Sequence, residues 1–239
     1  MAIESVLTTT KLGSLIIWFL FWVLGWFGFY ILPKNKQDYI KNYLAVSLYF
    51  LIISLFIAYY YQDILYPIYT GLTIIPLVII VLSLILFFLI YFVSNKFLVK
   101  PVKFLKKYST SAFLELDYRY LMSKSFEIFY QQLLIIVIVK LLFSFGLDLS
   151  WITLIFMFMF GFSHIGILRY HKNIFGTIIF VAAIFSSFLF PYLIITFKYG
   201  FIYTFIAHWF FYSNTGVLFW LLNQVEKIAK EDKRVIGIK

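Results

Sequence analysis

The sequence has no cysteine, three histidines, and ten acidic residues against twenty Lys and Arg. Without cysteine there are no disulfides, no thiolate metal sites and no cysteine nucleophile. Charged residues make up 13% of the 239 positions, against about 25% in an ordinary soluble domain. Five prolines and eleven glycines leave no linker-like tract, and no internal repeat is visible, so residues 1–239 read as a single domain. What remains is apolar: 64% hydrophobic and 23% aromatic, with a mean hydropathy of +0.97. No water-soluble core hides that much apolar surface. A soluble globular enzyme and a disordered chain are therefore both excluded, and the composition points to an integral membrane protein. At about 20 apolar residues per helical crossing, the chain has room for roughly seven or eight spans and no large extramembrane domain.

Apolar runs bounded by charge or turn residues predict spans near 12–32, 43–61, 72–93, 125–147, 150–168, 174–197 and 200–222. The expected fold is an all-α polytopic bundle of about seven transmembrane helices, with six or eight also open. The alternatives arise between residues 59 and 93, where Tyr59–Asp63 mark a boundary and Pro67, Gly71 and Pro76 can kink a helix or hold a re-entrant piece. The start, MAIESVLTTTKLG, has one lysine before a long apolar run and no small-residue cleavage signal, so the first run reads as an uncleaved span.

Seven crossings place residues 33–42, 94–124, 169–173 and 223–239 on one side, and those segments hold 17 of the 20 Lys and Arg. Lys11 and Lys198 fall on the other side and Lys140 inside a span. Cytoplasmic segments are enriched in Lys and Arg, so the N-terminus is expected outside and the C-terminus, a basic tail over 223–239, in the cytosol. The net charge of +10 then reflects attraction to anionic lipid headgroups, and nucleic acid is not needed as a partner. In the longest loop, Lys96, Lys100, Lys103 and Lys107 recur every three or four residues, with Leu98, Val102 and Leu105 on another face. That pattern predicts an amphipathic interfacial helix, broken at Pro101.

Ionisable groups inside spans cost a few kcal/mol near the bilayer centre and are functional candidates by default. Glu127, Lys140, His164 and His208 occupy such positions. Lys140 is near enough to the outer end of its span to snorkel to that surface. Glu127 is expected in the first turn of the fourth span and His164 about one turn from the same cytosolic surface. His208 is nearer mid-span, with Asn214 closer to the cytosol. The three ionisable residues can surround one cytosol-facing cavity, or serve separately as interfacial and packing residues. A carboxylate and an imidazole at one depth suit general-base activation of water, and a second histidine suits donation to an oxyanion. Such chemistry needs no metal, cofactor or cysteine. Zinc would need three protein ligands, and the HExxH pattern is missing, as is G-x-S-x-G.

At these positions the sequence resembles the CPBP family, also called ABI, of intramembrane glutamic proteases and bacteriocin-immunity proteins, which includes the CAAX prenyl endopeptidases. The family motif E-E-x-x-x-R corresponds to FEIFYQQLL at residues 126–134, F-x-x-x-H to FGFSH ending at His164, and H-x-x-x-N to HWFFYSN from His208. The match covers roughly residues 110–225. In one register Phe126 and Glu127 stand for the two glutamates and Gln131 for the arginine. In the other, Glu127 and Ile128 stand for the glutamates and Gln132 for the arginine. Tyr212 occupies the asparagine position of the third motif, and Asn214 lies two residues beyond.

In the second register the resemblance implies that Glu127 and His164 activate water and that His208 holds the oxyanion; in the first the catalytic carboxylate is absent and proteolysis is lost. Gln131, Gln132, Tyr212 and Asn214 are then positioning candidates. A peptide or membrane protein would be cleaved at the cytosolic face of a prokaryotic plasma membrane. The other expectation is a non-catalytic scaffold, immunity or regulatory subunit that binds another membrane protein. The topology has its own check, because the chain contains no native cysteine. Single cysteines near residue 105 are expected to react with an impermeant thiol reagent only from the cytosolic side, and labelling from outside alone would reverse the orientation.

Overall fold

The computed structural model describes residues 2–34, 39–70, 73–107, 112–170 and 174–235, and they contain no strand. The helices run α1 (Ala2–Lys34), α2 (Tyr43–Tyr60), α3 (Gln62–Thr70), α4 (Ile74–Phe97), α5 (Val102–Lys107), α6 (Tyr118–Ser144), α7 (Leu149–Phe156), α8 (Ile165–Tyr170), α9 (Ile174–Thr196) and α10 (Gly200–Val235). Five segments are long and apolar enough to cross a bilayer: Thr10–Gly28 of α1, and α2, α4, α6 and α9. They fit an integral membrane protein. All seven expected runs are helical over most of their described residues, but the fifth and the seventh differ from a simple span. The apolar stretch Leu149–His164 is shorter than the others and loses regular α geometry after Phe156. α10 is 36 residues long and carries His208, Ser213 and Asn214 in its interior, which lower its apolar content.

One helix lies inside the others. Burial reaches 72% along α6, against 17–33% for the other four apolar segments. Leu133 to Leu142 of α6 pack with Trp18, Val46, Phe50, Ile57, Phe156 and Phe190 in one cluster. Leu121 and Ile128, nearer its start, pack with Tyr91, Leu114, Phe175, Trp209 and Trp220 in a second. α4 is the opposite case, with Ile74, Ile75, Leu82, Leu86 and Leu89 exposed along its length. In lipid those side chains are already in an apolar solvent, so association rests on packing and hydrogen bonding.

α6 starts earlier than its hydrophobic run suggests. The run begins near residue 125, but the helix begins at Tyr118 because Asp117 caps it, accepting from the Arg119 backbone N–H at 2.8 Å. The Arg119 side chain closes on the same carboxylate at 2.6 and 2.9 Å. That hydrogen bonding holds the Asp117 carboxyl below its usual pKa. Before the cap, buried Leu116 takes a left-handed φ of 48°, an uncommon conformation for a branched residue. Two α4 side chains satisfy the backbone there: Asn95 donates to the Leu116 carbonyl at 3.0 Å and Tyr91 to the Asp117 carbonyl at 2.8 Å. The cap, the turn and α4 thus carry the helix 118–124 into the interior, and Lys124 with it.

The interfacial helix is short. Lys96 lies in the last turn of α4, the chain breaks before Pro101, and only Val102–Lys107 are helical. Leu105 is buried but Val102 is exposed, so the expected apolar face is only partly formed. Between the second and third expected spans, α3 is a separate helix containing Pro67, and Pro76 sits in the first turn of α4. Gly71 and residues 236–239 at the end of the basic tail lie outside the described residues.

Candidate intramembrane polar site

With α6 starting at Tyr118, Glu127 stands about two and a half turns into the helix, not in its first turn. It is fully buried and Lys124 is only 4% exposed. Lys124, Glu127 and Gln131 follow i, i+3, i+7 spacing and share one face of α6. Lys124 Nζ reaches Glu127 Oε1 at 2.6 Å, and Gln131 Nε2 donates to the same oxygen at 2.9 Å. The Tyr39 hydroxyl donates to Oε2. Tyr39 is itself held by α6, where Ser123 Oγ donates to its carbonyl at 2.7 Å. Burial, and then the neighbouring Glu127 carboxylate, push the Tyr39 phenol well above its ordinary pKa, which keeps it a neutral donor. On its other side the Lys124 ammonium lies 3.9 Å from the centroid of the Tyr212 ring of α10, a cation–π contact.

His164 comes from a different local structure. After Phe156 the chain forms a π-helical turn over Met157–Gly161 and a 3₁₀ turn over Phe162–His164. Such π turns inside helices recur at functional sites. Gly161 allows this turn to lie on α9, since a Cβ there would meet Ser187 Oγ at 2.8 Å. His164 Nδ1 lies 2.6 Å from the Phe160 carbonyl. A carbonyl only accepts, so Nδ1 carries the hydrogen, and in the neutral ring Nε2 holds the lone pair.

His208 is set the other way. Thr204 Oγ1 donates to Gln132 Oε1 at 3.0 Å, and the Gln132 amide nitrogen lies 3.5 Å from the Thr204 carbonyl and 2.9 Å from His208 Nδ1. In that arrangement the amide nitrogen donates to Nδ1, so the His208 hydrogen sits on Nε2. One ring therefore offers a basic Nε2 and the other an Nε2–H.

Two adjoining cavities collect these groups. The first, about 630 Å³ counted to its open mouth, has Trp18, Trp22 and Trp26 on its walls together with Glu127, Gln131, Ser163, His164 and Tyr212. The second, about 830 Å³ on the same measure, lies between α9 and α10 and includes Ser186, Phe190, His208 and Thr215. Phe160, His164 and Tyr212 line both. Gln131 Oε1, in the first cavity, is the one buried side-chain polar atom among the described residues with no hydrogen-bond partner.

The sequence-derived set is therefore divided. Glu127, Gln131, His164 and Tyr212 share the first cavity, while His208 joins His164 and Tyr212 in the second, with Gln132 behind it. No hydrogen bond joins Glu127 to His164 among the described residues. Asn214 lines neither cavity, and its amide donates to Ser213 Oγ at 2.8 Å. Two members of the site were not foreseen. Lys124 looked like a loop lysine, although its i, i+3 spacing from Glu127 was visible. Tyr39 carries no sequence signal, being 88 residues from its partner. The described residues contain no group of three His, Asp or Glu that could hold a metal ion.

The paired tautomers can be read by ¹⁵N NMR on histidine-labelled protein at a pH where both rings are neutral. His164 is expected to be protonated at Nδ1 and His208 at Nε2. The same tautomer at both positions would contradict the hydrogen-bond assignment.

Comparison of the chain with protein-family models, curated proteins and solved structures finds no match in any of the three.

Proposed function

We propose that this chain is a divergent CPBP-like integral membrane protein whose buried polar site holds a partner instead of cleaving one, as a scaffold, immunity or regulatory subunit. The observation that carries this reading is the state of Glu127. A general base needs a lone pair directed at water, and this carboxylate accepts from Lys124, Gln131 and Tyr39 at once. Three of its roughly four acceptor positions are thereby taken by protein donors. Its place at i−4 from Gln131 fits the register in which Glu127 is the second glutamate of the CPBP motif and Phe126 replaces the first. The aromatic walls of the first cavity and the unpaired Gln131 Oε1 suit an apolar segment that brings one N–H donor. In the full proposal seven helices cross a prokaryotic plasma membrane, and this end of α6 faces the cytosol.

A second reading, proteolysis, is favoured by the two histidines. With Nδ1 committed to Phe160, His164 has Nε2 available as a base, and His208 presents an Nε2–H that could hold an oxyanion. Water would then be activated by His164, with Glu127 supplying charge.

The ion pair separates the readings. Lys124→Met or Glu127→Gln alone leaves one buried charge unpaired, with an expected loss of about 3–5 kcal/mol in stability. Lys124→Met/Glu127→Gln together restores neutrality and is expected to unfold in detergent close to the wild type. In a deletion strain of the native host, the double variant should complement if the site holds a partner. A folded double variant that fails to complement, beside a purified wild type that cleaves membrane peptides, would favour proteolysis instead.

A further inference from the structure

At the other end of α6, thirteen residues and roughly 20 Å from Glu127, Lys140 sits in a run whose neighbours Val139 and Leu141 are buried. Unlike Lys124, it has no hydrogen bond, ion pair or ring contact among the described residues. It lines a separate cavity with Ile68 of α3, Ile194 and Thr196 of α9, the Phe197–Lys198 turn, and Gly200 and Phe201 at the start of α10. Lys198 is the second cation on its wall, resting 5.2 Å from the Tyr199 ring centroid. No acidic side chain lines the cavity.

The backbone adds to the positive field. α10 begins at Gly200, so the positive end of its helix dipole borders the cavity. That start is pressed against the end of α9: a Cβ at residue 200 would fall 1.7 Å from the Leu193 carbonyl oxygen. Only glycine permits the approach, which puts Lys198 and the α10 terminus on the wall of the cavity that Lys140 also lines. Lys140 is itself half-buried, and a lysine beside so much apolar surface is costly without a counter-charge or water. Here two ammonium groups and a helix N-terminus converge on a space with no internal anion, while Ile68, Ile194 and Phe201 form an apolar flank.

We propose that this cavity binds a phosphoryl anion between Lys140 and Lys198, either the headgroup of an anionic phospholipid or free phosphate. The apolar flank suits the first acyl carbons of a lipid. The site is independent of the polar site near Glu127 and of any catalytic reading.

Native mass spectrometry of the full chain in detergent tests this, with phosphatidylglycerol, phosphatidylcholine of the same acyl chains, and inorganic phosphate as probes. Phosphatidylglycerol is expected to bind more tightly than phosphatidylcholine. Lys140→Met and Lys198→Gln should each weaken it about fivefold, and Lys140→Arg should retain binding. Lys198 is exposed, so Lys198→Gln is expected to fold even if a change at Lys140 disturbs α6. If inorganic phosphate binds with the same lysine dependence and competes, the source is a soluble phosphate; if it does neither, the source is the lipid. Equal binding of both lipids, unchanged in both neutral variants, together with no lysine-dependent binding of phosphate, would overturn the proposal.

Discussion

A carboxylate buried two and a half turns into the central helix has to be matched, and much of the interior is arranged around that demand. Glu127 draws a lysine and a glutamine from its own helix and a tyrosine from the turn before α2. Lys124 in turn rests on the Tyr212 ring of α10. One buried charge thus ties together the turn at Tyr39, α6 and α10. Breaking a pair of this kind by removing one partner costs far more than replacing both with neutral groups. The helix start depends on the same arrangement. Without the Asp117 cap and the α4 hydrogen bonds at Leu116 and Asp117, the segment bearing Lys124 would have no reason to enter the interior.

That arrangement also shapes the chemistry. A carboxylate with three donors is fixed in place, with most of its acceptor positions taken by protein groups. The histidines are less constrained, since each uses Nδ1 in a fixed hydrogen bond and turns a different Nε2 state to its surroundings. Tyr212 connects the two halves, packing on Lys124 on one side and lying 5.6 Å from His208 between ring centroids on the other. A substitution at Tyr212 would therefore reach both the ion pair and the histidine.

The helical runs were legible because lipid-facing and interior helices both need long apolar stretches, which stand out against a background poor in charge. The start of α6 was not. Residues 118–124 read YRYLMSK, which looks like loop by composition, and only the cap and the burial against α4 make it helix. That single displacement moved Lys124 from a lipid-facing loop into the core and gave Glu127 its counter-charge. The grouping of Glu127 with His164 in one cavity followed from their similar depth in the expected spans. Tyr39 and the π turn before His164 were hidden for a different reason. Both depend on contacts between segments distant in the chain, and neither has a periodic or spacing signature.

The central claim is that Glu127 is ionised and held by Lys124 inside the bundle. Infrared difference spectroscopy between the wild type and Glu127→Gln, in lipid nanodiscs near neutral pH, reads its charge state directly. The difference should contain the antisymmetric stretch of a carboxylate and no carboxylic acid carbonyl band. A carboxylic acid band lost on substitution, with no change in the carboxylate region, would show a protonated Glu127 and contradict the ion pair on which this account rests.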